Sequence, residues 1–176
     1  MFQILKKYKA AIYFILRFFV VYTILTLLYN QFLNTFENYP DSITELVAEQ
    51  SKKIVNFFNY KTETAIVETE SFVRFYINDS YIARIVEGCN GISVYILYIS
   101  FIIAFRGSLK HTLLFVILGT AFLYLSNILR VSILSIGLYK FPEHAEFLHQ
   151  IVFPVLIYGM VFLLWILWVN KFAKKA

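Results

Sequence analysis

Cys89 is the only cysteine in a chain of 176 residues, and it stands in Val86-Glu87-Gly88-Cys89-Asn90-Gly91-Ile92, immediately before an apolar run. A thiol with no partner in its own chain has three uses: inert packing, a disulfide to another molecule, or nucleophilic attack. The surroundings favour the third. A helix N-terminus and a neighbouring cation both favour the thiolate. Gly88 and Gly91 leave backbone N–H groups approachable, as an oxyanion needs. Arg130 lies within the next apolar run. A guanidinium there costs at least about 2.5 kcal/mol, so it is paired, functional or reaching for the headgroups. Asn127, one turn earlier on the same helix face, either fixes Arg130 or a substrate backbone, or bonds to another helix. His149 precedes the last apolar run. An imidazole gains and loses a proton near neutral pH, so His149 is a candidate general base, or else a plain polar cap. His144, in the same loop, stays open.

These groups must be held by membrane elements. The chain is 60% hydrophobic, with a mean hydropathy of +0.68. That exceeds what a soluble domain of this size can bury. The net charge of +5 comes from cations flanking apolar runs, which speaks for a membrane surface and against nucleic acid. Four spans are expected, over 10–33, 89–105, 112–139 and 150–169. Each needs about 20 apolar residues, and the second is short. The first is too apolar for too long to be a signal peptide, and no Ala-x-Ala site follows it. It carries Arg17 near one end. Pro154 falls in the first turns of the fourth, where a missing N–H costs least.

Lys6, Lys7 and Lys9 precede the first span, Arg106 and Lys110 separate the second from the third, and Lys171, Lys174 and Lys175 follow the fourth. By the positive-inside rule these segments and both termini are cytoplasmic. Cys89 and His149 then lie outside. Arg130, roughly 30 Å up its helix from Lys110, joins them. His111 falls on the opposite side and drops out.

The outer segment, 34–87, has two parts. Ser42 and Glu45 fit a capping box. Ile43, Leu46, Val47, Ile54, Phe57 and Phe58 recur at near-helical spacing, which predicts an amphipathic helix over 41–57. From 65 to 86 the residues are mostly β-branched or aromatic, with a turn at Asn78-Asp79-Ser80. Two or three short strands are expected there, a hairpin that leads into Glu87 and Cys89. The expected fold is therefore an all-α integral membrane protein of about four transmembrane helices. It forms one domain over 1–176, with a small helix-plus-hairpin insertion. There is no internal repeat or flexible linker.

The segment Glu87-Gly88-Cys89-Asn90-Gly91-Ile92, the pair Asn127-x-x-Arg130, and His149 before a Pro-containing last helix together resemble the exosortase/archaeosortase family. The short length and the Cys-Asn-Gly form look most like the exosortase F branch of Bacteroidetes. The resemblance covers 85–170. It implies a multi-pass cysteine peptidase or transpeptidase of the inner (plasma) membrane, with Cys89, Arg130 and His149 as its catalytic residues. Glu87, Asn90, Gly91 and Asn127 would support them or bind substrate. Family members often have about eight spans, so this chain looks like a minimal core. Partners implied are exported proteins that end in a short motif, a transmembrane helix and a basic tail, together with a cell-surface acceptor and membrane lipid. No metal or other cofactor is expected, because there is no Cys/His cluster and no His-Glu-x-x-His.

Two other classes compete. In a non-enzymatic membrane assembly protein, Arg130 and Glu87 would form an interhelical ion pair and Cys89 would only pack. In a small transporter or channel subunit, Asn127 and Arg130 would line the path. The absence of repeats and of paired broken helices ranks this last.

Overall fold

A computed structural model describes residues 8–172 except 37, 68 and 106. Lys6, Lys7, Arg106, Lys174 and Lys175, used above for orientation, lie outside the described residues. Among the described residues three helices are long and apolar enough to cross a membrane, and a fourth is apolar but shorter. The first, α1 (Lys9–Leu33), has 25 residues and none fully buried. It meets the rest of the molecule along one stripe, where Phe14 packs against Phe101 and Phe105.

The amphipathic helix is present as α2 (Ser42–Phe57). Its cap differs from expectation. Asp41, not Ser42, is the N-cap, and one carboxylate oxygen accepts from the amides of Ile43 and Thr44 at 3.0 Å each. Both residues are competent caps. Asp41 prevails because its second oxygen also accepts from the Thr44 hydroxyl, in a site only 3% exposed. Thr44, Val47, Ala48, Ser51 and Val55 form the buried face. Its small residues let α2 lie close along a later helix.

The insertion carries more than a hairpin. Three antiparallel strands, β1 (Thr62–Ile66), β2 (Val73–Ile77) and β3 (Ser80–Ile85), form a meander in sequence order. β1 starts three residues earlier than the aromatic run suggests, because Asn56 accepts from the Thr62 amide and turns the chain. Asn78 and Asp79 both take positive φ, 49° and 62°. That is the turn whose twist suits a two-residue hairpin loop, and these side chains tolerate it. The register slips between Phe75↔Ala83 and Tyr76↔Tyr81, leaving Ile82 as a bulge in β3. Val73, Phe75 and Ile77 alternate inward and pack with Val47, Ala48, Val55 and Ile85. Each such buried side chain is worth about 1.5–3 kcal/mol.

Val131 completes that core from α4 (Leu109–Lys140), a helix of 32 residues. The Ser132 hydroxyl donates to the Ile128 carbonyl at 2.9 Å and lies 3.4 Å from the Ser51 carbonyl, so α2 and α4 touch through serines. From Leu113 to Ile133 α4 also exposes an apolar stripe. Twenty residues rise about 30 Å, the thickness of a bilayer core. Beyond the stripe, Tyr139 receives a hydrogen bond from Asn78. One helix thus both lines the lipid and anchors the sheet.

The second expected span is shorter than read. Cys89 does not open it. A 3-10 turn, Glu87–Cys89, comes first, and α3 (Ile92–Ala104) has 13 residues. It sits in the centre, with Tyr98 and Ile102 fully buried. The Tyr98 hydroxyl donates to the Phe115 carbonyl at 2.7 Å, in the space that Gly119 leaves open. The last helix, α5 (Phe153–Lys171), is reached through a π-helical turn, Leu148–Val152. Pro154 explains that turn. It cannot donate to the carbonyl four residues back, and the widened turn rearranges the bonds there. Trp165 stacks on Phe101 at 4.1 Å, and Trp168 is fully buried against Phe115.

Candidate active site

β3 delivers the thiol. The chain leaves Ile85 extended through Val86 and closes into the Glu87–Cys89 turn, where the Cys89 amide donates to the Val86 carbonyl at 2.8 Å. Cys89 is half-buried and unbridged, and packs on the sheet core near Val131 and Tyr124. Gly91 then takes φ +83°. A Cβ there would lie 2.6 Å from the Tyr95 hydroxyl oxygen and 3.2 Å from Asn127 Cγ. Glycine is required twice over, for its conformation and for this close approach.

Asn127 joins the turn to α4. Its Nδ2 donates to the Cys89 carbonyl at 2.7 Å, and its Oδ1 accepts from Arg130 Nη1 at 3.3 Å. Both uses weighed from the sequence, a bond between elements and a holder for Arg130, are therefore made by one amide that is 2% exposed. Arg130 Nε is buried, with no hydrogen-bond partner among the described residues. Among the described residues Arg130 makes no ion pair with Glu87, which is exposed. The positive end of α3 and the guanidinium thus both lie at the cysteine turn.

Asn90, 1% exposed, fastens the turn from the other side. Its Oδ1 accepts from the Ile92 amide at 2.9 Å, two residues on, at the start of α3. Its Nδ2 donates to the Tyr29 hydroxyl at 2.8 Å and to Thr44 Oγ1 at 3.2 Å. Thr44 in turn donates to Asp41 at 2.5 Å. Tyr29, Thr44 and Asp41 are site residues that sequence reading missed. They lie 46 or more residues from Asn90 along the chain. The only local signal was a tyrosine and a threonine at positions facing other helices.

The histidines sit apart. His149 is exposed within the π-helical turn, and among the described residues it has no hydrogen bond or ion pair. Its neighbour Leu148 packs on Gly137, seven residues beyond Arg130. That places it about 10 Å farther along α4. Cys89, Asn127 and Arg130 are brought together, then, and His149 lies at the same end of the helices without touching them. His144 is exposed, 3.3 Å from Glu143. His111 bonds Ser108 at the opposite end of α4. Among the described residues no group of three His, Cys, Asp or Glu side chains is placed to hold a metal.

The arrangement is a lone thiol on a turn whose backbone is tied, through the Asn127 amide, to the Arg130 guanidinium. Comparison with curated proteins and with solved structures finds no match. The family model for transmembrane exosortases (Exosortase_EpsH) matches residues 5–169. That family acts in protein sorting, on exported proteins with C-terminal sorting signals. Nearly the whole chain falls within the match, and the chain is an integral membrane protein that belongs to the exosortase family.

Proposed function

We propose that this protein is a cysteine peptidase or transpeptidase that cleaves C-terminal sorting signals on the outer face of the inner membrane. It would act as a single four-span domain with an extracytoplasmic insertion over 34–87 and both termini in the cytoplasm. The observation that carries the reading is the Cys89–Asn127–Arg130 junction, one thiol and one guanidinium tied through one buried amide. The Cys89 sulfur attacks the scissile carbonyl, and Arg130 steadies the oxyanion. His149 takes the Cys89 thiol proton as the sulfur attacks and passes it to the leaving amine as the C–N bond breaks, and a thioester remains on Cys89. An amine or hydroxyl of a cell-surface acceptor then takes the acyl group and regenerates the thiol; water in its place gives hydrolysis. The π-helical turn at His149 suits this role, since such turns recur at functional sites. The Cys-Asn-Gly segment favours the exosortase F branch.

The test is processing of a co-expressed exported protein with a motif, an apolar helix and a basic tail. Cys89→Ala, Cys89→Ser and Arg130→Ala should abolish processing with the protein still in the membrane. Arg130→Lys should fail too, because an ammonium does not reproduce the planar fork. Mass spectrometry of the active protein should find the substrate acyl group on Cys89. Full processing by Cys89→Ala would refute the assignment and favour an assembly role.

A further inference from the structure

We propose that the cleft between α1 and the Glu87–Cys89 turn holds the substrate backbone in extended form beside the scissile bond. The proposal rests on the sorting activity above and adds the subsite. The cleft has a volume of about 160 Å³ and is lined by Tyr22, Thr26 and Asn30 of α1, by Glu87 and Gly88, and by Ser93 of α3. Glu87 and Gly88 of the thiol turn thus line the cleft, and Cys89 follows them in the chain.

Tyr22, Thr26 and Asn30 recur every four residues and form one stripe along α1. Polar groups inside a span are costly when they lack a partner. Here they are idle. Among the described residues the side chains of Thr26, Asn30, Glu87 and Ser93 make no hydrogen bond. Tyr29, by contrast, is already spent on Asn90. The idle groups are hydroxyls, an amide and a carboxylate, the partners that a peptide backbone needs.

The need is physical. A peptide bond inside a helix has its carbonyl bonded and shielded, so attack requires the segment to be unwound. At membrane depth, non-helical backbone persists only where protein supplies its hydrogen bonds. Four residues of α1 rise about 6 Å. Two residues of an extended chain rise about 6.6 Å. Thr26 and Asn30 therefore repeat at nearly the spacing of the same-facing groups of an extended peptide. The occupant is the substrate segment between its motif and its apolar helix, and the latter remains in lipid beside α1.

The test uses the full chain in membranes, with a reporter fused to the motif, apolar helix and basic tail of an exported protein from the same cell. In a Cys89→Ala background, photoreactive benzoylphenylalanine is placed at Tyr22, at Ser93, or at Leu28 on the opposite face of α1. Crosslinks from Tyr22 and Ser93 should map to the reporter segment before its apolar helix, with little from Leu28. Combining Thr26→Val with Asn30→Leu should lower processing about tenfold or more, roughly the effect of one lost hydrogen bond per site. Alkylation of Cys89 by iodoacetamide should keep its rate, which separates this from damage to the turn. Equal crosslinking at Leu28, crosslinks to lipid alone, or undiminished processing in the double variant would overturn the subsite. Failure of the sorting activity looks different: the unaltered protein would leave the reporter uncut and Cys89 unacylated. Crosslinks confined to Tyr22 and Ser93 would then still mark a peptide cleft, in a protein that does not cleave.

Discussion

Asn127 serves Cys89 and Arg130 at once, so its variants separate the two. Asn127→Ala leaves the Cys89 carbonyl and the guanidinium without their partner, at a cost of about 1–3 kcal/mol, read as a lower midpoint of unfolding in SDS. Asn127→Asp keeps the acceptor for Arg130 and loses the donor to Cys89. It should retain more stability than Asn127→Ala and still process substrate poorly. The histidines divide by place. His149→Ala should stop turnover while His144→Ala leaves most of it, measured as processed reporter per enzyme. Equal losses would leave the proton donor elsewhere. Cys89, Asn127 and Arg130 were legible because a lone thiol, and an amide and a cation one turn apart in an apolar helix, are conspicuous by type alone. Tyr29, Thr44 and Asp41 were not, because what singles them out is a bond to Asn90 or its neighbour across dozens of residues. The start of α3 was misplaced because Asn90-Gly91 is itself a turn pair, and it was read as part of the span.

At the scale of elements, α2 was legible from spacing, and the strands from their β-branched and aromatic content. The three strands fall within the two or three expected, whereas the bulge at Ile82 depends on pairing that no local pattern displays. α2 is also clamped to the sheet through Glu49, which accepts from Lys52 and from the Thr64 hydroxyl. Those bonds hold the Glu49 carboxyl below the usual glutamate range. Its contribution is therefore present above the ordinary glutamate pKa of about 4.3 and is lost as pH falls through the lowered value. Native-state hydrogen exchange in β1 should quicken below that range, and Glu49→Gln should quicken it at neutral pH and flatten the acid dependence. A different element contact is steric. A Cβ at Gly119 would fall 1.9 Å from the Tyr98 hydroxyl oxygen. Gly119→Ala should destabilise the α3–α4 pair by about 1–3 kcal/mol. Tyr98→Phe should restore only part of this, since Tyr98 Cζ remains 2.4 Å away.

For the whole molecule, the proposed orientation is checked with membrane-impermeant maleimide on intact spheroplasts, in a Cys89→Ser background. A cysteine at Phe58, 57% exposed near the sheet, should label from outside. One at Leu109, 85% exposed at the far end of α4, should label only after the membrane is opened. Labelling at Leu109 in intact cells would invert the protein and put the thiol in the cytoplasm. The central helix carries a further consequence. α3 rises only about 20 Å, some 10 Å less than the hydrocarbon it would cross. Its companions are longer, so the bilayer around the molecule meets hydrophobic walls of unequal height. The lipid must thin beside α3, or the cysteine turn must sit sunk below the headgroups. Acyl-chain length then becomes a control on the proposed processing. Reconstituted in short-chain phosphatidylcholine it should process substrate faster than in long-chain lipid, with the α1 and α4 contacts unchanged, and activity indifferent to chain length would show that the turn needs no such accommodation.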